Sequence, residues 1–151
     1  MPILAPPDEE AIRQRFQQEL DGDVRLTLVT HNPIGGLIVP GRECASCDSA
    51  LQLAEEVSAL SSKITLETVD FYRDPDQTAK LGVDRIPALL VRHHASDGVR
   101  FFGLPSGHEF PVFLDAIVSA STGCSGLSED TRGALAELEE DVHIQVFATP
   151  T

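Results

Sequence analysis

Cys44 and Cys47, separated by Ala45 and Ser46 in the stretch "GRECASCD" (41–48), are two of the three cysteines in this chain. Thiols at that spacing can hold a metal ion or exchange electrons with another disulfide. A bond between them closes a minimal loop. Its chain-entropy contribution is only about 2 kcal/mol, below that of the long loops that structural disulfides close. Such a bond is suited to being opened. A second stretch, "DRIPALL" (84–90), sets Ile86-Pro87 directly before an apolar run. A proline there can be cis and leave the preceding backbone free to pair with a peptide, although an isolated X-Pro bond before a strand is usually trans.

Other reactive groups carry weaker signals. Around the pair, Arg42 favours a Cys44 thiolate while Glu43 and Asp48 oppose it. Cys124, in "STGCSG", stands far along the chain and reads as an inert or partly buried lone thiol, with a regulatory or intermolecular partner as the alternative. Of the five histidines, His93 and His94 are adjacent on an expected strand and so point to opposite faces, a poor chelating pair. Asp70, at the end of another expected strand, reads as a turn residue, with proton relay to Cys47 as the functional alternative. Phe71, Tyr72, Phe101 and Phe102 read as core or edge packing.

Composition limits what these groups can serve. At 151 residues the chain is long enough to bury about two thirds of its unfolded surface, so it needs no disulfide or metal to fold. A net charge of -13 argues against a general role on phosphate backbones. "MPILAPPDEE" lacks the basic and apolar regions of a signal peptide, and no stretch approaches the roughly 18 apolar residues of a membrane span. The cytoplasm is the expected compartment.

The elements that must position the cysteines follow from periodicity. Asp8 is the expected N-cap of a first helix on which Ile12, Phe16 and Leu20 share one face. "VRLTLVT" (24–30) alternates and is expected to be a strand. "HNPIGGLIVPGRE" is a loop that delivers the chain to Cys44. Ala50, Leu53, Ala54, Val57 and Leu60 predict a helix from about 45 to 60, with both cysteines on its first turn. "KITLETVDFY" (63–72) is a second strand, parallel to the first through a right-handed crossover. A short helix near 77–81 precedes a third strand (88–91) and a fourth (99–103), paired as an antiparallel hairpin. A last helix follows "LPSGHEF", where Ser106 and Glu109 have capping-box spacing, with Pro111 in its first turns. The order is βαβαββα after an extra helix, which predicts an α/β mixed four-stranded sheet with flanking helices.

The remainder repeats the beginning. "SEDTRGALAELEEDVHIQVFATPT" (128–151) follows the plan of "DEEAIRQRFQQELDGDVRLTLVTHNP" (8–33): an acidic start, a helix, then an Asp-Val pair opening an alternating strand, with Asp23-Val24 matching Asp141-Val142. The expectation is one complete unit over 1–124 and the opening of a second over 125–151.

This combination of strand order, a CxxC opening the first long helix, and Ile-Pro before the third strand resembles the thioredoxin and glutaredoxin superfamily. More narrowly, "ITLETVDFYRDPDQTAKLGVDRIPALLV", "FFGLPSGHEF" and "VHIQVFATPT" look like the amino-terminal half of the two-unit protein disulfide oxidoreductases, or glutaredoxin-like proteins. The resemblance implies a thioredoxin-like fold. It makes Cys44 the attacking thiol, Cys47 the resolving thiol and Pro87 a cis-proline facing them. Ile86 then offers its backbone to the substrate, and Gly103 leaves room for a bound peptide.

The function so implied is thiol-disulfide exchange on protein disulfides, with no cofactor beyond the redox-active disulfide. A thioredoxin-reductase-type flavoprotein or glutathione is the expected electron donor. Two alternatives stand beside it. In one the CxxC supplies half of a zinc or iron–sulfur site, and in the other the chain is a redox-inactive structural half of a two-unit protein.

Overall fold

The computed structural model describes residues 2–31, 40–93 and 98–147. The first helix, α1, spans Pro6–Glu19 with Ala5 as its N-cap. Its N-cap therefore lies three residues before the expected Asp8. Pro6 and Pro7 occupy the first helical positions, where a missing N–H costs nothing, and Asp8 and Glu9 fall in the first turn, where carboxylates favour the helix dipole. Strand β1 follows at Val24–Thr30. Residues 32–39, most of the expected loop, lie outside the described residues, and α2 spans Cys47–Ser58.

Strand β2 (Ile64–Asp70), helix α3 (Pro75–Lys80), strand β3 (Ala88–Arg92), strand β4 (Val99–Phe102) and helix α4 (Glu109–Thr122) complete the expected order. The sheet runs β2-β1-β3-β4. Strands β1 and β2 are parallel, with Val24 opposite Ile64 and Thr30 opposite Asp70. Strand β3 is antiparallel to both neighbours, Val29 facing Ala88 and Ala88 facing Phe102. In the β3–β4 connection Gly98 has φ +66, and a Cβ there would collide with the Val91 carbonyl oxygen, so glycine is required.

The capping box at the last helix does not form. His108 is the N-cap of α4, and Ser106 accepts the Glu109 N–H through its backbone carbonyl at 3.2 Å rather than through its hydroxyl. Pro111, the third helical residue, sits where its absent N–H has no intrahelical partner to lose.

Alternation divides the core between the two faces of the sheet. On one face Leu26, Leu28, Leu89 and Val91 pack with Ile12 and Phe16 of α1, Leu53, Ala54 and Val57 of α2, and Phe113 and Ile117 of α4. On the other, Val29, Val69, Ala88 and Leu90 form a smaller cluster with Leu81 and Val83 beyond α3, flanked by Phe71 and Ile86. Strand β1 is central to both clusters, and all its residues but Arg25 are buried.

The repeat reads differently in space from its first copy. Helix α5 forms at Glu129–Ala136, with the Ser128 hydroxyl accepting the Thr131 N–H. The expected strand after Asp141 does not form over residues 141–147, which have no regular secondary structure. Every residue from Gly123 to Phe147 is exposed, including Ile144 at 79% and Phe147 at 91%. The matching residues of β1, Leu26 and Val29, are fully enclosed. A β pattern becomes a strand only beside a partner that takes its N–H and C=O groups.

This contrast sets an expected outcome. Phe113→Ala, at a side chain with 0% exposure, should lower unfolding stability by about 3–5 kcal/mol in urea titrations. Ile144→Ser should leave the unfolding free energy within about 0.5 kcal/mol of the parent, as for other exposed positions.

Candidate active site

The sheet topology brings the reactive stretches to one edge. Strands β1 and β2 end there, and β3, being antiparallel to β1, begins there. Strand β4 ends beside the start of β3, and the Gly103 N–H continues the ladder by donating to the Pro87 carbonyl at 2.8 Å. The Ile86-Pro87 bond is cis, as the resemblance implied. Pro87 is buried, and Ile86 packs against the smaller core cluster. Gly103 has φ +100 with open space beside it, since an added Cβ would meet nothing within 4 Å.

Cys44 and Cys47 are joined in a disulfide with an S–S distance of 1.99 Å and a Cα–Cα distance of 5.4 Å. Only Cys47 lies on the helix. Ala45 and Ser46 form a turn, Ser46 is the N-cap with φ -113° and ψ 2°, and its carbonyl accepts the Ala50 N–H at 2.9 Å. A residue with those angles is not helical, so α2 cannot extend back to Cys44. The expectation that both cysteines share the first turn is corrected accordingly. The two residues differ in burial. Cys47 is 3% exposed, while Cys44 is intermediate in burial. Helix α2 directs unsatisfied N–H groups towards the pair, which favours a thiolate by about 0.3–1 kcal/mol.

Asp70 is the last residue of β2, and its carboxylate holds the turn that follows. Its Oδ1 accepts the N–H groups of Tyr72 and Arg73, each at 3.0 Å, and its Oδ2 stands 3.6 Å from His31 Nδ1. His31 follows β1, and its ring meets Tyr72 edge-on with centroids 4.9 Å apart. The face of Tyr72 also receives Arg42, whose guanidinium carbon lies 4.5 Å from the ring centroid. Across the edge, Arg85 stacks 5.2 Å from Phe102, and its two hydrogen bonds to Asp84 hold that carboxyl below its ordinary range.

The sequence reading missed these contacts. It placed Tyr72 and Phe102 as packing residues and gave His31 no role. The available signal was positional: aromatic residues directly after β2 and at the end of β4 must lie at the edge where the CxxC also lies.

Cys124 is exposed rather than partly buried, because it lies beyond the end of α4. His94 lies outside the described residues. Among the described residues, no group of three or more His, Cys, Asp or Glu side chains converges as metal ligands would. No described helix is long and apolar enough to cross a membrane.

No family model matches the sequence. Over 146 residues, 96% of this chain, it is 25% identical to a protein named NADH dehydrogenase from Ferdinandcohnia aciditolerans, and the match covers 24% of that protein. A protein disulfide oxidoreductase from Aeropyrum pernix K1 superposes with a TM-score of 0.73 at 21% identity, over 89% of this chain and 55% of that one. The alkylhydroperoxide reductase component AhpF of Enterococcus faecalis also gives 0.73, at 20% identity, over 89% and 61% respectively. A point mutant of a thioredoxin from Halobacterium salinarum gives 0.50 at 16% identity, over 79% of this chain and 88% of that one. The chain has a thioredoxin-like fold. It spans less than two thirds of the length of the first three relatives.

The unequal burial of the two cysteines predicts an order of reaction. After reduction, iodoacetamide applied to the folded chain should label Cys44 before Cys47, and peptide mapping reads the order. Equal rates in the native state, with unequal access lost only in denaturant, would contradict the burial described here.

Proposed function

We propose that this chain is a thiol-disulfide oxidoreductase unit acting on protein disulfides through Cys44 and Cys47. The observation that carries the reading is the asymmetric pair itself, a half-buried Cys44 bonded to a buried Cys47 at the start of a helix on a thioredoxin-like scaffold. In the reducing direction the Cys44 thiolate attacks one sulfur of a substrate disulfide. The substrate S–S bond breaks, a mixed disulfide forms, and the departing thiolate takes a proton from water. Cys47 then gives up its proton and attacks the Cys44 sulfur, releasing the second substrate thiolate. Two electrons pass to the substrate, and the enzyme dithiol becomes the Cys44–Cys47 disulfide.

The substrate segment pairs with the backbone of Ile86 ahead of Pro87, while Gly103 leaves space for it. The buried Pro87, the half-buried Ile86 and the open space at Gly103 support this placement. No cofactor beyond the disulfide enters the exchange, and a thioredoxin-reductase-type flavoprotein or glutathione returns the pair to the dithiol. The solved relatives include a protein disulfide oxidoreductase and an alkylhydroperoxide reductase component, which is in keeping with this chemistry. The setting is the cytoplasm, where such pairs are kept in turnover. Residues 125–151 belong with the opening of a second unit, a reading supported by the repeat of 8–33 and by the exposure of its apolar residues.

The test is a thiol titration of the purified, metal-free chain across glutathione redox buffers, with Cys44→Ser and Cys47→Ser alongside. Two thiols should disappear together at one potential in the parent, and Cys47→Ser should trap a glutathione adduct on Cys44. Thiols that titrate independently at every poise would sink the reading.

A further inference from the structure

Residues 40–44 bring Cys44 to the start of α2. Within this stretch the Gly41 N–H donates to Glu43 Oε2 at 3.0 Å, a contact that stays inside the loop. Arg42 reaches out of it, onto the face of Tyr72. Tyr72 is itself held from several sides. Its N–H donates to Asp70 Oδ1 at 3.0 Å, His31 packs edge-on against its ring, and Phe71 does so with centroids 5.1 Å apart. The ring is thus anchored to the ends of β1 and β2, and that anchorage involves neither sulfur.

We infer that Tyr72 is a positioning residue for Cys44, acting through Arg42: it holds the loop in place when the Cys44–Cys47 bond is open. The inference rests on the oxidoreductase reading. In the disulfide, the loop is tied to α2 by the S–S bond. Once two thiols of glutathione have reduced that bond, giving the Cys44–Cys47 dithiol and one glutathione disulfide, the tie is gone. A loose loop lets Cys44 wander and lowers its effective concentration at Cys47. The guanidinium on Tyr72 keeps Cys44 within reach and favours reclosure. An exposed cation–π contact accounts for about a two- to five-fold effect on that equilibrium, which is roughly 10–20 mV for a two-electron couple.

This role has a direction opposite to the electrostatic one. Arg42 acting only as a nearby positive charge stabilises the thiolate, so removing it favours the disulfide and makes reduction harder. Removing the tether instead makes reduction easier.

The experiment equilibrates the full chain with graded glutathione buffers and counts the Cys44 and Cys47 thiols by alkylation and mass spectrometry. It compares the parent with Tyr72→Leu, Tyr72→Phe, Arg42→Met and the Tyr72→Leu/Arg42→Met double variant. Tyr72→Leu and Arg42→Met should each shift the midpoint towards easier reduction by about two- to five-fold. The double variant should shift no further than either alone, and Tyr72→Phe, which keeps the ring face, should stay at the parent value. An unchanged midpoint, a shift towards harder reduction, additive single effects, or a Tyr72→Phe shift as large as that of Tyr72→Leu would each overturn the inference. Should Tyr72→Leu fail to fold, the exposed substitution Arg42→Met decides by the direction of its shift. A parent chain with no paired two-thiol transition would instead remove the oxidoreductase reading, and this inference with it.

Discussion

The pairing of β1 with β3 is the constraint on which the site depends. Because Val29 faces Ala88 in an antiparallel register, the end of β1 and the start of β3 share one edge of the sheet. The parallel pairing of β1 with β2 brings Asp70 to that same edge, and the β3–β4 hairpin returns Gly103 to it. Slipping β1 by one residue would turn Leu26 and Leu28 away from α1, α2 and α4. The hydrophobic core therefore enforces the register, and the register carries His31, Tyr72, Pro87 and Gly103 to a common edge. Nothing in the cysteine pair itself supplies that placement.

Within this frame the two sulfurs acquire different surroundings from one local feature. The chain is not helical at Ser46 and becomes helical at Cys47. Cys47 is consequently the first residue of α2 and turns towards the enclosed side occupied by Ala50 and Ala54, while Cys44 remains on the approach loop with partial access to solvent. A difference in burial between otherwise identical thiols needs no special side chain beside either one. It follows from where the helix starts.

Much of the scaffold was legible from periodicity, because strands and helices that bury one face must repeat apolar residues at two or about 3.6 positions. The errors fall where periodicity is silent. Helix α1 starts at Pro6, α2 at Cys47 and α4 after His108, and each start depends on the dihedral angles of one or two residues rather than on any apolar repeat. The stretch from Val142 to Phe147 has the alternation of a strand yet remains unpaired, since alternation describes what a strand would bury and not whether a neighbour is present. The Cys44–Cys47 pair and the cis Ile86-Pro87 bond were legible because their motifs are short and continuous. The Arg42–Tyr72 contact joins residues from separate elements, and a sequence exposes such a pair only after the strand order is known.

The energies also explain why these levels separate. Burying a side chain such as Phe16 or Phe113 is worth several kcal/mol, enough to choose one fold over its competitors. The helix dipole and an exposed cation–π contact are each worth about 1 kcal/mol or less. Terms of that size cannot select a topology, but a thiol-disulfide equilibrium responds to each of them by a few-fold. The chain can therefore keep its core unchanged while residues such as Arg42 and Tyr72 adjust how readily the Cys44–Cys47 bond opens. Placement belongs to the large terms and tuning to the small ones, and at this edge of the sheet the same strands serve both.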